Sequence, residues 1–229
     1  MSCCPTEVLP VKASYDRHGD NFYIVGSGSK GIVYIPDIFG SSPQAYMGAD
    51  LLAGKGFLVC MPDFFRDKPW RLDDLPPKDP EAFQAFLGAL TYDALKDRVE
   101  RGITLLKALG ASSIGSVGFC WGGNLAIRAL VDGSVRAAAS PHPSVRGLTA
   151  DVAKDVKGPF CLMPSKDDGP MDDVRAALNP EFAAGHEYRY FDDMHHGFMG
   201  ARADYTNEAN RARANEGFEM LAAFFARNL

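Results

Sequence analysis

At 229 residues and 46% hydrophobic content, the chain is long enough to bury a substantial core and reads most simply as one domain, residues 1–229, with residues 1–20 as an N-terminal extension. Its formal net charge of −5 is modest and its basic residues are scattered, which argues against a nucleic-acid partner or a polybasic membrane surface and leaves small molecules as the expected ligands. No apolar run approaches membrane-spanning length and the first residues lack a charged segment followed by an apolar one, so a soluble, cytoplasmic protein is expected.

Residues 21–25 (Asn-Phe-Tyr-Ile-Val) read as an opening strand, and Gly26 to Gly31 turn the chain into a second, more uniformly apolar strand at Ile32 to Ile35. Gly26, Gly28 and Gly31 match G-x-G-x-x-G, but a strand rather than a helix follows, so the stretch is expected to be a hairpin turn and not a dinucleotide site. A helix is predicted from about Pro43 to Ala53, then a buried strand at Phe57 to Met61. The long loop from Pro62 to Pro77 is rich in aromatic and basic residues, which suits a functional loop. Phe83, Phe86, Leu87 and Leu90 fall on one helical face, as do Leu95, Val99, Ile103 and Leu106, predicting two helices that cover a sheet. Further strands are expected at Arg136 to Ser140, Pro159 to Met163 and Glu187 to Phe191, and a closing helix shows its apolar face at Ala214, Phe218, Leu221 and Phe225. Strands alternating with helices imply a mostly parallel sheet covered on both faces, with sites at the carboxyl ends of the strands.

Between these elements lies Gly118-Phe119-Cys120-Trp121-Gly122-Gly123, with a short apolar run before it and a helix pattern from Asn124 after it. A sharp strand-to-helix turn leaves no room for flanking side chains, so glycine is needed there, and it lifts the central side chain clear of the sheet at a helix N-terminus. A thiol so placed is exposed and its thiolate is favoured by the helix dipole. The competing reading is a buried structural cysteine. The five cysteines (Cys3, Cys4, Cys60, Cys120, Cys161) are an odd, sparse set that argues against a disulfide framework, and Cys3-Cys4 read as part of a frayed terminus.

A cysteine nucleophile needs a base, and the base needs a third group to hold its tautomer. After Cys120 the chain offers Asp167 or Asp168 past one strand and His195 or His196 past the last. Nucleophile, acid, histidine is the order of the nucleophile-elbow hydrolases, and each member sits at a strand end. Neighbouring side chains in an extended segment point opposite ways, so only one of the two histidines can face Cys120. His142, between two prolines, reads as a loop residue packed or hydrogen-bonded locally rather than as a participant, with a place bordering the site as the alternative.

These residues resemble the dienelactone hydrolase family of α/β-hydrolases, through Asp37-Ile38-Phe39-Gly40, Pro62-Asp63-Phe64-Phe65-Arg66, the Cys120 elbow, Ser165-Lys166-Asp167-Asp168 and His196-Gly197-Phe198, in the family's order and over nearly the whole length. The resemblance implies the α/β-hydrolase fold, a Cys120, Asp167, His196 triad with Asp168 as the alternative acid, and hydrolysis of an ester or enol-lactone such as 4-carboxymethylenebut-2-en-4-olide, giving maleylacetate. It also implies oxyanion donors at the backbone N–H of Ile38 and of Trp121, and substrate-carboxylate contacts from Arg66 and from Arg202, although Arg202 follows His196 at a different spacing. Asp37 stands where the founding members carry a glutamate that contacts the resting thiol; a shorter carboxylate there is expected to keep the thiol protonated, the competing reading being a turn or cap residue. No cofactor or metal is expected, and the assembly expected is a monomer or a homodimer. A non-catalytic or thiol-redox protein on the same fold, using Cys120 for sensing or ligand binding, is the alternative from a different class, and a metal hydrolase using His142, His195, His196 and the nearby aspartates is a third.

Overall fold

The computed structural model of the chain describes residues 22–66 and 68–229. The expected extension over residues 1–20 and the Cys3-Cys4 pair lie outside these residues. In chain order the elements are β1 (Phe22–Val25), β2 (Lys30–Ile35), α1 (Pro43–Gly54), β3 (Leu58–Pro62), α2 (Pro80–Ala89), α3 (Tyr92–Ala108), β4 (Ser113–Gly118), α4 (Gly122–Val131), β5 (Ala137–Pro141), α5 (Ala150–Ala153), β6 (Phe160–Met163), α6 (Asp172–Ala177), β7 (Glu187–Tyr188) and α7 (Glu208–Asn228). The seven strands form one sheet in the order β1-β3-β2-β4-β5-β6-β7, parallel except for β1 against β3. This is the α/β architecture with a mostly parallel sheet and helices on both faces.

Strand β2 shows why the sheet is covered on both sides. Val33 and Ile35 enter one apolar cluster with Leu95, Val99 and Leu106 of α3, while Ile32 and Tyr34 enter another with Leu52 of α1 and Phe218 and Phe225 of α7. Side chains alternate across a strand, so a run that is apolar at every position needs a layer of helices on each face. Burying each such Leu or Phe contributes about 1.5–3 kcal/mol.

The expected hairpin over Gly26 to Gly31 is not formed. β1 pairs antiparallel with β3, Phe22 opposite Pro62, and β2 lies on the far side of β3. The reason is burial: β2 is buried from Gly31 to Ile35 and takes a central place, which leaves the half-buried β1 to the edge. Gly26 is required by this crossing, since a Cβ there would meet the Phe57 carbonyl oxygen at 2.1 Å. The last strand is also shorter than expected, Glu187–Tyr188, with a single further bridge between Ser165 and Phe191.

Of the two helices expected to cover the sheet, only α3 does. It buries Leu95, Val99, Ile103 and Leu106, whereas α2 has no buried residue. Among the described residues no helix is long and apolar enough to cross a membrane.

Candidate active site

The site forms where five parallel strands end. Asp37 follows β2, Cys120 follows β4, His142 follows β5, Asp168 follows β6, and His196 follows the Phe191 bridge beyond β7. Cys120 sits between β4 and α4 with a φ of 57°, a left-handed conformation rarely adopted by a residue with a side chain. The turn around it is as tight as the sequence implied: a Cβ on Gly118 would meet the Gly122 carbonyl oxygen at 2.0 Å, and one on Gly123 would meet Ser140 Oγ at 1.9 Å. Cys120 is half-buried and hydrogen-bonds to His196.

His196 Nδ1 lies 2.5 Å from Asp168 Oδ1, leaving Nε2 as the ring nitrogen for the thiol. Asp168 is held in turn by Ser165, whose backbone N–H and hydroxyl both donate to Oδ2, at 2.8 and 2.6 Å. This capping box closes a 3₁₀ turn at Lys166–Asp168 and leaves the Asp168 side chain only 5% exposed. Asp167, one residue earlier, is rotated by about 120° in such a turn. It is exposed, and its Oδ2 accepts the backbone N–H of His196 at 3.0 Å. The carboxylate on the imidazole is therefore that of Asp168, a correction to the expected Asp167.

Burial works against a charged His196 ring, but the hydrogen bonds and charges of Asp168 and Cys120 outweigh it and push its pKa up to about 10. His195 is the other member of the pair and turns aside, its Nδ1 lying 3.0 Å from the His196 carbonyl oxygen.

Asp37 is buried, and its carboxylate accepts from the backbone N–H of Phe39 at 3.0 Å and of Ala201 at 2.7 Å. Burial raises its pKa to about 6 in spite of those two bonds. It ties the loop after β2 to the loop after His196. The expected contact with the thiol is absent from these bonds, and the cap reading describes its geometry. Gly200 makes room for it, since a Cβ there would sit 2.4 Å from Asp37 Oδ2.

The backbone N–H groups of Ile38 and Trp121, one on each side of the elbow, find no acceptor among the described residues. Ile38 and the Trp121 ring border the same cavity as Cys120, and Trp121 is fixed from behind by edge contacts to Phe64 and Phe65, ring centroids 5.9 and 5.4 Å away. His142 is fully buried, with its ring 5.2 Å from that of His196, and both its nitrogens lack a hydrogen-bond partner among the described residues. Burial first, then the neighbouring His196, hold it neutral, well below the usual imidazole range. Among the described residues no group of three or more His, Cys, Asp and Glu side chains is arranged to hold a metal ion.

Cys120 and His196 open into a cavity of about 620 Å³ whose lining includes Asp37, Ile38, Phe39, Trp121, Asn124, Arg128, Arg146 and Arg202, together with apolar side chains of α2. The model of the dienelactone hydrolase family matches residues 23–229. The chain belongs to the dienelactone hydrolase family. It is 35% identical to an uncharacterised AIM2 family protein of Schizosaccharomyces pombe over 98% of both chains, and 27% identical to the carboxymethylenebutenolidase homolog of Rattus norvegicus over 84% of this chain and 80% of that one. Its fold matches the crystal structure of dienelactone hydrolase from Anabaena variabilis with a TM-score of 0.60 at 18% identity, over 91% of this chain and 90% of the other. The fold is thus that of the α/β-hydrolases.

Within this dienelactone hydrolase scaffold the two expected arginines part company. Arg202 lines the cavity beside Gly197, where a Cβ would touch the Arg202 stem at 3.0 Å. Arg66 does not line it: Arg66 is exposed, and its backbone N–H closes a turn onto Asp63 Oδ1 at 2.9 Å. The sequence reading missed Arg128 and Arg146. Helical spacing could have found Arg128, because Asn124 and Arg128 are four residues apart on α4 just after the elbow, and Arg128 Nε donates to Asn124 Oδ1 at 3.1 Å. Arg146 lies in the loop after β5 and reaches across to α2, donating to Gln84 Oε1 at 2.8 Å.

Proposed function

We propose that the protein hydrolyses a carboxylic ester or an enol-lactone through a Cys120, His196, Asp168 triad and a thioester intermediate. The observation that carries this reading is the chain Cys120 to His196 to Asp168 to Ser165, with the nucleophile raised on a left-handed elbow at the mouth of a cavity. Sγ attacks the carbonyl carbon with the proton of the Cys120–His196 pair held on Nε2 of His196. The oxygen that becomes negative is received by the N–H groups of Ile38 and Trp121, which are free to donate to it. Collapse expels the alkoxide or enolate, which takes the proton from His196, and leaves the acyl group on Cys120. Water, deprotonated by His196, attacks the thioester; the second collapse releases the carboxylic acid and returns the thiol. Arg202, one of three arginines in the cavity lining with Arg128 and Arg146, is the one proposed to meet a substrate carboxylate.

The test is turnover of p-nitrophenyl acetate and of an enol-lactone by Cys120→Ala and His196→Ala, with circular dichroism to verify the fold. Both variants are expected to lose turnover while remaining folded. Undiminished turnover in either would overturn the mechanism, and reversible oxidation of Cys120 with no hydrolysis of any ester, thioester or lactone would favour a thiol-redox role.

A further inference from the structure

We propose that the acyl half of the substrate carries an extended apolar chain that lies between α2 and α4, and that Phe83, Leu87 and Leu90 select it. This rests on the hydrolase reading and adds a substrate class to it. Phe83, Phe86, Leu87 and Leu90 form one face of α2 and its C-terminal end, yet all four are only half-buried. Phe86 anchors the helix, stacked on Phe65 at 5.9 Å and tilted against Trp70 at 5.3 Å. The other three line the cavity that contains Cys120 and His196.

A helix normally turns such a stripe onto a core. Here the stripe packs on the core only in part, Phe83 also meeting Trp70 at 4.8 Å, and Phe83, Leu87 and Leu90 border the space shared with the nucleophile, so an apolar occupant gains by covering what they leave exposed. Asn124 and Arg128 of α4 border the same cavity. From Gly122 to Arg128 is six residues, about 9 Å along the helix, so the space extends well past the elbow. At about 620 Å³ it is in the range of sites for ligands much larger than a small bare lactone. Asp93 and Arg128 add charged groups to the lining.

The experiment is a series of p-nitrophenyl esters, acetate to octanoate, with kcat/KM measured on wild type, Leu87→Ser and Gly88→Leu. Gly88 also borders the cavity, and a Cβ there meets nothing within 4 Å, so a side chain can start from this position toward the space, and leucine suits a helix better than glycine does. In wild type kcat/KM is expected to rise with each methylene, by at most about fourfold per step at full burial. The octanoate-to-acetate ratio is expected to fall about fivefold or more in each variant, by lost contact in Leu87→Ser and by lost space in Gly88→Leu. A flat or falling series in wild type with acetate still turned over, or a ratio unchanged in both variants, overturns this inference and leaves the hydrolase reading standing. Absence of turnover for every ester, acetate included, overturns both.

Discussion

His196 Nδ1 sits 2.5 Å from Asp168 Oδ1, while the backbone N–H of the same residue donates to Asp167 Oδ2 at 3.0 Å, so adjacent aspartates hold one histidine by its ring and by its main chain. The two contacts differ in consequence. Only the ring contact fixes the tautomer and supports the imidazolium. Asp168→Asn is expected to lower kcat by roughly 10³-fold or more, in line with loss of the orienting carboxylate. Asp167→Asn keeps an acceptor for the backbone and is expected to change kcat less than tenfold. Steady-state kinetics on the two variants decide the assignment, and the reverse ranking would restore Asp167.

The two arginines give a second contrast. Arg202 borders the cavity and Arg66 does not. Arg202→Ala is expected to raise KM roughly tenfold for esters bearing a free carboxylate, the loss of a charge-assisted hydrogen bond, with little change for neutral esters. Arg66→Ala is expected to leave both unchanged. A carboxylate preference abolished by Arg66→Ala would place the anion site on the Pro62–Pro77 loop instead.

Asp37 joins two loops of the site through the N–H groups of Phe39 and Ala201. Its pKa of about 6 means that the carboxylate gains a proton as pH falls through 6, and a protonated oxygen can no longer accept both bonds equally. The profile of kcat/KM against pH is expected to show an acid limb near 6 in wild type. In Asp37→Asn one of the two N–H groups faces an amide NH2 at every pH, so this limb is expected to disappear and activity at pH 8 to fall about tenfold. Persistence of the limb in the variant would assign it to another group.

His142 and His196 shift stability with pH in opposite senses. The folded pKa of His142 is depressed below its unfolded value of 6.5, so its contribution is present above 6.5 and is lost as pH falls below it. The folded pKa of His196 is raised, so its contribution is present below 6.5 and is lost as pH rises through about 10. His142→Phe removes two buried, unpartnered nitrogens and keeps a ring between Phe119, Phe198 and His196. The variant is expected to be neutral to about 1 kcal/mol more stable at pH 7, and to lose less stability between pH 6.5 and 5 than wild type. Thermal unfolding at the three pH values checks this. A collapse of kcat in a folded His142→Phe would instead give the residue a part in positioning His196.

Much of the fold and the frame of the site is determined by local chemistry that the sequence carries on its own. Every-position apolar strands demanded helices on both faces, and glycine at 118, 122 and 123 demanded a sharp elbow around Cys120, because the contacts that forbid a Cβ there come from the turn itself and from the neighbouring strand end. Even the choice of Asp168 was legible: Ser165-Lys166-Asp167-Asp168 has the S-x-x-D spacing of a capping box, and that box turns Asp168 inward. What only the tertiary structure decided depends on partners distant in sequence. The place of β1 at the edge was settled by its pairing with β3, and the role of Asp37 by Ala201, 164 residues away. The period of α2 marked an apolar face, but periodicity states which side chains share a face and not whether that face meets a sheet or a cavity; the packing left it over the cavity of Cys120.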